Sequence, residues 1–356
     1  MILLMSLQEN LIQWFRKNQR PLPWRRHYRP YEVWVSEIML QQTQVETALP
    51  YFDRWMKTLP SVEALARADQ KIVLKLWEGL GYYSRARNIH ESARRIMKDH
   101  GGAFPGNYDD ILALKGIGRY TAGAIASIAF NQDKPIVDGN VLRVLSRVYA
   151  IAEPIDVEKN KEHFWKLQES LIPKNQARDF NQALMELGAL VCLAQNPRCA
   201  VCPLRSECRA HLMKKTSEFP VRSAKKKTVK VTAAALIISK NKKYFLHRRP
   251  LGKIMGGLWE FPEWKLAQDK KISFGVIEKE ILGKTKEEFG HSLKKINYLG
   301  IIKRNYTNHL ETLHVFAGET EKNLKSNRSW PSIWASAENF KKYPFSSAHA
   351  KIAKKL

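Results

Sequence analysis

Between Leu114 and Asn140 the chain leaves little choice of local fold. A helical pattern with apolar Ile111, Leu112 and Leu114 stops at Gly116-Ile117-Gly118. A second pattern, rich in small residues, starts at once with Arg119-Tyr120-Thr121-Ala122-Gly123-Ala124-Ile125. Two helices joined through G-x-G turn backbone N–H groups outward at a helix N-terminus, where a phosphate can bind. Glycine suits such a turn because it accepts positive φ and lets an anion approach closely. About one helix later, Pro135-Ile136-Val137-Asp138-Gly139-Asn140 puts a carboxylate after an apolar run and before another helix. The pattern has two readings. One is a tight hairpin followed by an N-cap aspartate; the other is an anion-binding hairpin beside a catalytic carboxylate.

The totals narrow the partner. A length of 356 residues predicts two domains. Sixty Lys and Arg against 34 Asp and Glu give a formal charge of +26. That excess points to nucleic acid or an anionic membrane surface. No apolar run reaches the ~18 residues that span a bilayer, and Met1-Ile2-Leu3-Leu4-Met5 is too short, and lacks the basic start, for a secretory signal. A monomer in the cytoplasm, associated with the nucleoid, or in the nucleus is expected. A basic stretch without hydrophobic period, from Lys214-Lys215 to Lys225-Lys226-Lys227, reads as a linker. The expected division is residues 1–215, a linker at 216–228, and 229–356. Up to residue 215 there are 31 basic and 22 acidic residues, net +9; from 216 onward there are 29 and 12, net +17. Both parts are therefore expected to touch the polyanion.

In the first part, a helix from about Pro30 contains Glu37 on an apolar face, with Val33, Trp34 and Leu40 one turn away. A carboxyl group in such surroundings is desolvated, keeps its proton near neutral pH, and so suits general acid work. A core glutamate satisfied by a salt bridge is the other reading. The helical pattern of residues 61–101 breaks at Gly79-Leu80-Gly81-Tyr82-Tyr83-Ser84-Arg85-Ala86-Arg87, which can present aromatic and cationic groups to a strand, or be a solvated turn. Cys192, Cys199, Cys202 and Cys208 follow as C-x6-C-x2-C-x5-C. Zinc sites usually pair two short knuckles; one C-x2-C between longer arms fits four-thiolate ligation of an iron–sulfur cluster better.

Together these residues resemble the helix-hairpin-helix DNA glycosylases related to endonuclease III. Within that group, Leu22-Pro23-Trp24-Arg25, the run Tyr31 to Thr43, Gly79–Arg87, Leu114–Ile125 and Asp138–Arg143 resemble the adenine DNA glycosylases of the MutY family. The resemblance implies a mainly α protein: a two-lobed, all-helical glycosylase domain with one structural [4Fe-4S] cluster on the four cysteines, and no nucleotide cofactor. It implies Glu37 as the acid that protonates departing adenine and Asp138 as the carboxylate that stabilises the oxocarbenium-like sugar, with Tyr120 and Asn140 positioning Asp138 and the sugar. Gln42 and Tyr82 match residues that enter the base stack, and Arg20 matches a contact to the flipped adenine. Gly116 and Gly118 would hold a phosphate of duplex DNA. Relatives with lyase activity carry a lysine where this chain has Tyr120, so a monofunctional enzyme is expected.

Residues 229–356 change to strand-like patterns: the apolar run Val229–Ile238, Tyr244–Arg249, and a loose alternation from Leu310 to Phe316. Helical stretches are expected at about 274–290 and 335–342. Gly256-Gly257-Leu258-Trp259-Glu260-Phe261-Pro262 resembles the family's C-terminal Nudix-like α/β domain, which inspects 8-oxoguanine opposite the adenine. The R-E-x2-E-E-x-G hydrolase signature is missing between Glu278 and Gly290, so no pyrophosphatase activity is expected. The family's lesion-reading loop is Phe-Ser-His. Here Thr307-Asn308-His309 keeps the histidine, replaces the serine by another hydrogen-bonding group, and lacks the aromatic ring. Two other readings stay open: an endonuclease III-like lyase on oxidised pyrimidines, and a non-catalytic iron–sulfur protein that binds DNA.

Overall fold

The computed structural model describes residues 6–224, 228–253, 255–293, 295–306 and 308–356, apart from the side chain of Tyr306. The opening residues 1–5, Lys225 to Lys227 of the expected linker, and Thr307 of the expected lesion loop lie outside the described residues. The chain forms two compact units. One is Met1–Ala68 with Asn88–Ala224; the other is Asp69–Arg87 with Lys225–Leu356.

Twelve α-helices precede the first strand among the described residues: α1 (Leu7–Asn18), α2 (Pro30–Leu40), α3 (Val45–Thr58), α4 (Val62–Arg67), α5 (Gln70–Leu76), α6 (Ser84–His100), α7 (Tyr108–Leu112), α8 (Arg119–Phe130), α9 (Gly139–Tyr149), α10 (Glu158–Leu171), α11 (Ala177–Leu190) and α12 (Arg209–Leu212). Helix α1 begins at a reciprocal cap: the Ser6 hydroxyl accepts from Glu9 N, and the Glu9 carboxylate accepts from Ser6 N. Its apolar stripe, Leu11 and Phe15, packs with Val141 and Leu145 of α9 and Phe180 and Leu184 of α11. Helix α2 is apolar almost all round and is central, with Val33 to Met39 all buried. Helix α8 is buried from Thr121 to Ile128 because its residues are small. A Cβ on Gly123 would stand 2.2 Å from the Pro135 carbonyl oxygen, so glycine is what lets α8 meet the segment leading to Asp138.

The second unit is a mixed sheet between helices. Its strands are β1 (Val229–Lys240), β2 (Lys243–Arg248), β3 (Trp259–Glu260), β4 (Glu263–Gln268), β5 (Asn297–Tyr306), β6 (His309–Glu319) and β7 (Ser332–Ser336), with α13 (Phe274–Phe289) and α14 (Ser347–Ala353). The order is β3-β2-β1-β6-β5, with β4 paired to β1 and β7 to β2. Strands β1 and β6 run parallel from the pair Val229 and His309 to Ser239 and Glu319. Period-2 alternation explains the apolar run of β1. Ala233, Ala235 and Ile237 face a core shared with Phe261 and Ile352, while Ala234, Leu236 and Ile238 face one shared with Ile277 and Ile281.

Two expectations need correction. Residues 335–342 are not one helix: β7 ends at Ser336, held by pairing to β2 and by Trp334 packing on Phe245, and a 3-10 helix follows at Ala337–Lys342. The break in the helical pattern is shorter than Gly79–Arg87, since α6 already begins at Ser84. Among the described residues, no helix is long and apolar enough to cross a membrane.

The Gly123 contact is testable. Gly123→Ala is expected to lower the free energy of unfolding by ~1–3 kcal/mol, the usual result of overpacking. Urea titration should show a lower midpoint at unchanged slope.

Candidate active site

A cavity of about 700 Å³ opens in the helical unit, and six of the residues singled out by sequence line it: Arg20, Glu37, Gln42, Tyr120, Asp138 and Asn140. Helix α2 delivers Glu37 one turn before its C-terminal end, and α8 delivers Tyr120 as its second residue. The Tyr120 hydroxyl donates to Glu37 Oε2 at 2.9 Å. Glu37 is 5% exposed, and burial pushes its pKa up to about 7. The tyrosine bond opposes that rise and the nearby Asp138 charge adds to it. Burial also drives the Tyr120 hydroxyl well above its ordinary range, so it stays a donor.

Asp138 is both an N-cap and a lining residue. Its Oδ1 accepts from Val141 N at 2.7 Å, capping α9, and its Oδ2 accepts from Asn140 Nδ2 at 3.1 Å. Burial raises its pKa, while these bonds and the Arg143 charge pull it back. Asn140 is itself held: its Oδ1 accepts from Arg143 Nη2 at 2.8 Å. That guanidinium also donates to the carbonyls of Gly188 and Cys192, each at 2.7 Å. A Cβ on Gly188 would lie 2.6 Å from the Asn140 Cβ, so the bare glycine of α11 seats this asparagine.

Sequence reasoning missed a third carboxylate in the cavity. Glu186 on α11 is 1% exposed and lies between Arg20 and Arg25, whose guanidinium nitrogens donate to it at 3.0–3.1 Å. Burial would raise its pKa, but the Arg20 and Arg25 bonds override that and hold it at about 2. The residue looks ordinary in the amphipathic pattern of α11, and its partners lie more than 160 positions away. The cavity therefore holds one carboxyl poised to keep a proton near neutral pH, Glu37, and one fixed as the anionic partner of two arginines, Glu186.

The hairpin glycines differ. Gly116 has φ +80°, and a Cβ there would lie 2.7 Å from Asn88 Cβ. Gly118 is extended at φ −101° and caps α8 without a side-chain bond. A Cβ at Gly118 would meet nothing within 4 Å, so positive φ is needed only at Gly116. Gln42 follows α2, exposed, at φ +60°.

The remaining predicted residues lie elsewhere. Tyr82, in the second unit, is 53% exposed with φ +47°. Its expected companions do not face solvent with it: Tyr83 and Arg85 are buried, and Arg87 Nη1 donates to the Gly256 carbonyl at 2.8 Å. Asn308 is exposed at the turn between β5 and β6, and its carbonyl accepts from Val229 N at 2.9 Å. His309 opens β6 and is paired on both sides, to Val229 and Tyr306.

Cys192, Cys199, Cys202 and Cys208 line one further cavity in the helical unit and form no disulfide. Arg147, 2% exposed, donates to Cys192 Sγ at 3.3 Å and to the carbonyls of Leu193, Ala194, Thr216 and Phe219. Four convergent thiols beside a fixed cation are a donor set that fits an anionic thiolate-bound iron–sulfur centre.

Comparisons with known proteins find two families along the chain. Residues 35–170 match the family described as HhH-GPD superfamily base excision DNA repair protein, and residues 233–355 match the NUDIX domain. The adenine DNA glycosylase of Buchnera aphidicola subsp. Acyrthosiphon pisum (strain APS) is 38% identical over 295 residues, 81% of this chain and 84% of that protein. The adenine DNA glycosylase of Rattus norvegicus is 47% identical over 215 residues, 58% of this chain and 42% of that protein. Among solved structures, a thermostable thymine-DNA glycosylase superposes with a TM-score of 0.54 at 28% identity, over 58% of this chain and 95% of that one.

The Glu37 environment sets a stability signature. Its folded pKa of about 7 lies above the ordinary 4.5, so folding favours the protonated form. Wild type should therefore lose stability as pH rises from about 4.5 through 7, by ~3 kcal/mol in total. Glu37→Gln removes this dependence. Chemical denaturation should find the variant's advantage near zero below pH 4.5, growing to a plateau above pH 7. An advantage that does not change with pH would show that the carboxyl ionises freely in the folded state.

Proposed function

The chain belongs to the adenine DNA glycosylases, and we propose that it excises adenine paired with 8-oxoguanine, with Glu37 as general acid and Asp138 as the carboxylate at the sugar. The observation that carries this reading is the buried Glu37 carboxyl, kept protonated to about pH 7, in the same cavity as Asp138. Glu37 gives its proton to a ring nitrogen of the flipped adenine. The C1′–N9 electron pair leaves with the base, and positive charge grows on the sugar. The Asp138 anion stabilises that charge, as an ion pair or a transient covalent partner, and water completes the abasic site. Asn140 holds Asp138 in place, and Tyr120 holds the Glu37 carboxyl.

Arg20, oriented by Glu186, meets the extruded adenine, while Gln42 and Tyr82 enter the stack it vacates. Base extrusion costs a few kcal/mol, so wedging side chains have work to do. The hairpin at Gly116 and Gly118 holds a backbone phosphate. Tyr120 carries no amine and forms no Schiff base, so the enzyme stops at the abasic site. Asn308 and His309, at the turn that opens β6 in the Nudix domain, inspect the opposite base. The four cysteines would hold one [4Fe-4S] cluster, which supplies a structural anchor. Arg147 and Arg143 tie that loop to α9, the helix that Asp138 caps.

Single-turnover excision from duplexes with 8-oxoguanine or guanine opposite adenine tests the assignments. Glu37→Gln should slow excision at least ~100-fold, and the wild-type rate should fall above about pH 7 as the acid loses its proton. Asn308→Ala should reduce the preference for 8-oxoguanine while the rate opposite guanine holds. An unchanged rate in Glu37→Gln removes the acid, and a borohydride-trapped DNA adduct would favour lyase chemistry.

The metal centre has its own check. Purified protein should contain iron and sulfide and absorb broadly in the visible. Stoichiometric zinc in their place contradicts the cluster.

A further inference from the structure

The turn that carries Tyr82 is held by more than its own sequence. Gly79, Gly81 and Tyr82 all have positive φ, at +107°, +73° and +47°. A tyrosine in the left-handed region persists only where its surroundings over-determine it. Within the turn, Trp77 Nε1 donates to the Gly81 carbonyl at 3.1 Å, and Arg85 Nη2 donates to those of Leu80 and Gly81 at 3.1 and 3.2 Å. The Arg85 guanidinium carbon lies 5.2 Å from the Trp77 ring centre and 5.7 Å from that of Tyr82.

The decisive contacts reach Phe345, far along the chain and in the same unit. Tyr83 Oη accepts from Gly79 N at 3.2 Å and donates to the Phe345 carbonyl at 2.8 Å. Glu78 Oε1 accepts from Phe345 N at 2.9 Å, and its other oxygen pairs with Lys75. Both backbone polar groups of one residue are thus taken by side chains that flank the turn. Phe345 is 2% exposed and lies in the sheet core, its ring 6.0 Å from Phe261 and 5.6 Å from Phe340. The anchor is therefore buried in the core, while Tyr82 projects from the turn into solvent.

We propose that Glu78 and Tyr83 are positioning residues that lock the Gly79–Tyr83 turn onto Phe345, so the Nudix-bearing unit aims the Tyr82 wedge. This rests on the reading of Tyr82 as a residue that enters the base stack. Inspection of the opposite base and opening of the stack are then mechanically one operation. Loosening the Phe345 segment degrades opening even though no residue of that segment touches the adenine.

The test uses full-length protein and a duplex with 2-aminopurine beside the target adenine, whose fluorescence rises on unstacking before chemistry. Single-turnover excision is followed in parallel for Tyr82→Ala, Tyr83→Phe, Glu78→Ala, Glu78→Gln and the double variant Tyr82→Ala/Tyr83→Phe. Tyr83→Phe and Glu78→Ala should each lower the fluorescence rise and the excision rate about tenfold, a common coupling for contacting residues. Glu78→Gln keeps the acceptor for Phe345 N and should behave as wild type. The double variant should be no slower than Tyr82→Ala, whereas a general loss of structure would add to it. Should Tyr83→Phe fail to fold, the Glu78→Ala and Glu78→Gln pair decides alone. An impaired Tyr82→Ala with an unimpaired Tyr83→Phe and Glu78→Ala, or additive losses in the double variant, overturns the clamp and leaves the wedge. An unimpaired Tyr82→Ala removes the wedge and the clamp together.

Discussion

A carboxyl group buried on an apolar helix can remain there only if it is neutral or answered by charge, and Glu37 is answered mainly by a tyrosine hydroxyl. The Tyr120 bond satisfies an oxygen without supplying a cation, so the proton stays on the acid. Everything else in the cavity respects that condition. Arg20 and Arg25 are bound by Glu186, and the Arg25 charge only partly offsets the effect of burial on Glu37. A lysine at position 120 would put a cation against Glu37 and draw its pKa down. The tyrosine therefore leaves the Glu37 carboxyl its proton and brings no amine to the cavity.

At Asp138 burial also raises the pKa, but a backbone amide at a helix start, an asparagine amide and a guanidinium pull it back. The support continues inward from Asn140 to Arg143, to the bare backbone of Gly188, and to the carbonyl of Cys192. Arg147, one turn further along α9, organises the rest of the cysteine segment. The helix that Asp138 caps is thus tied by hydrogen bonds to α11 and to the cysteine segment.

Much of this was legible in the residues. Glu37 was visible as a charge on an apolar face, and the small residues of α8 announced close packing. The N-cap reading of Asp138 holds, and the same side chain also lines the cavity. What escaped had no local signature. Glu186 sits in an unremarkable helix and is defined by arginines that only the fold brings near. Strands β3, β4 and β5 are short or irregular, and β5 carries a bulge between Tyr298 and Gly300 that breaks its alternation. Residues 335–342 have helical spacing, yet Trp334 and the pairing with β2 draw Ala335 and Ser336 into the sheet and leave a 3-10 helix for the rest. Periodicity identified α5 as a helix but is silent about which unit a helix joins.

That last point bears on how the chain is made. Tyr83 and Phe345 lie 262 positions apart, and at ~5–20 residues per second a ribosome needs ~10–50 s to cover that interval. During it, the first unit can close around its own core, but Asp69–Arg87 has no sheet to join. Tyr83, buried in the finished molecule, has to wait for its partner Phe345. The second unit is a late-assembling body, and one of its segments, Asp69–Arg87, is made long before the rest. Its assembly is limited by the closure of a very long loop, whatever the intrinsic speed of its sheet.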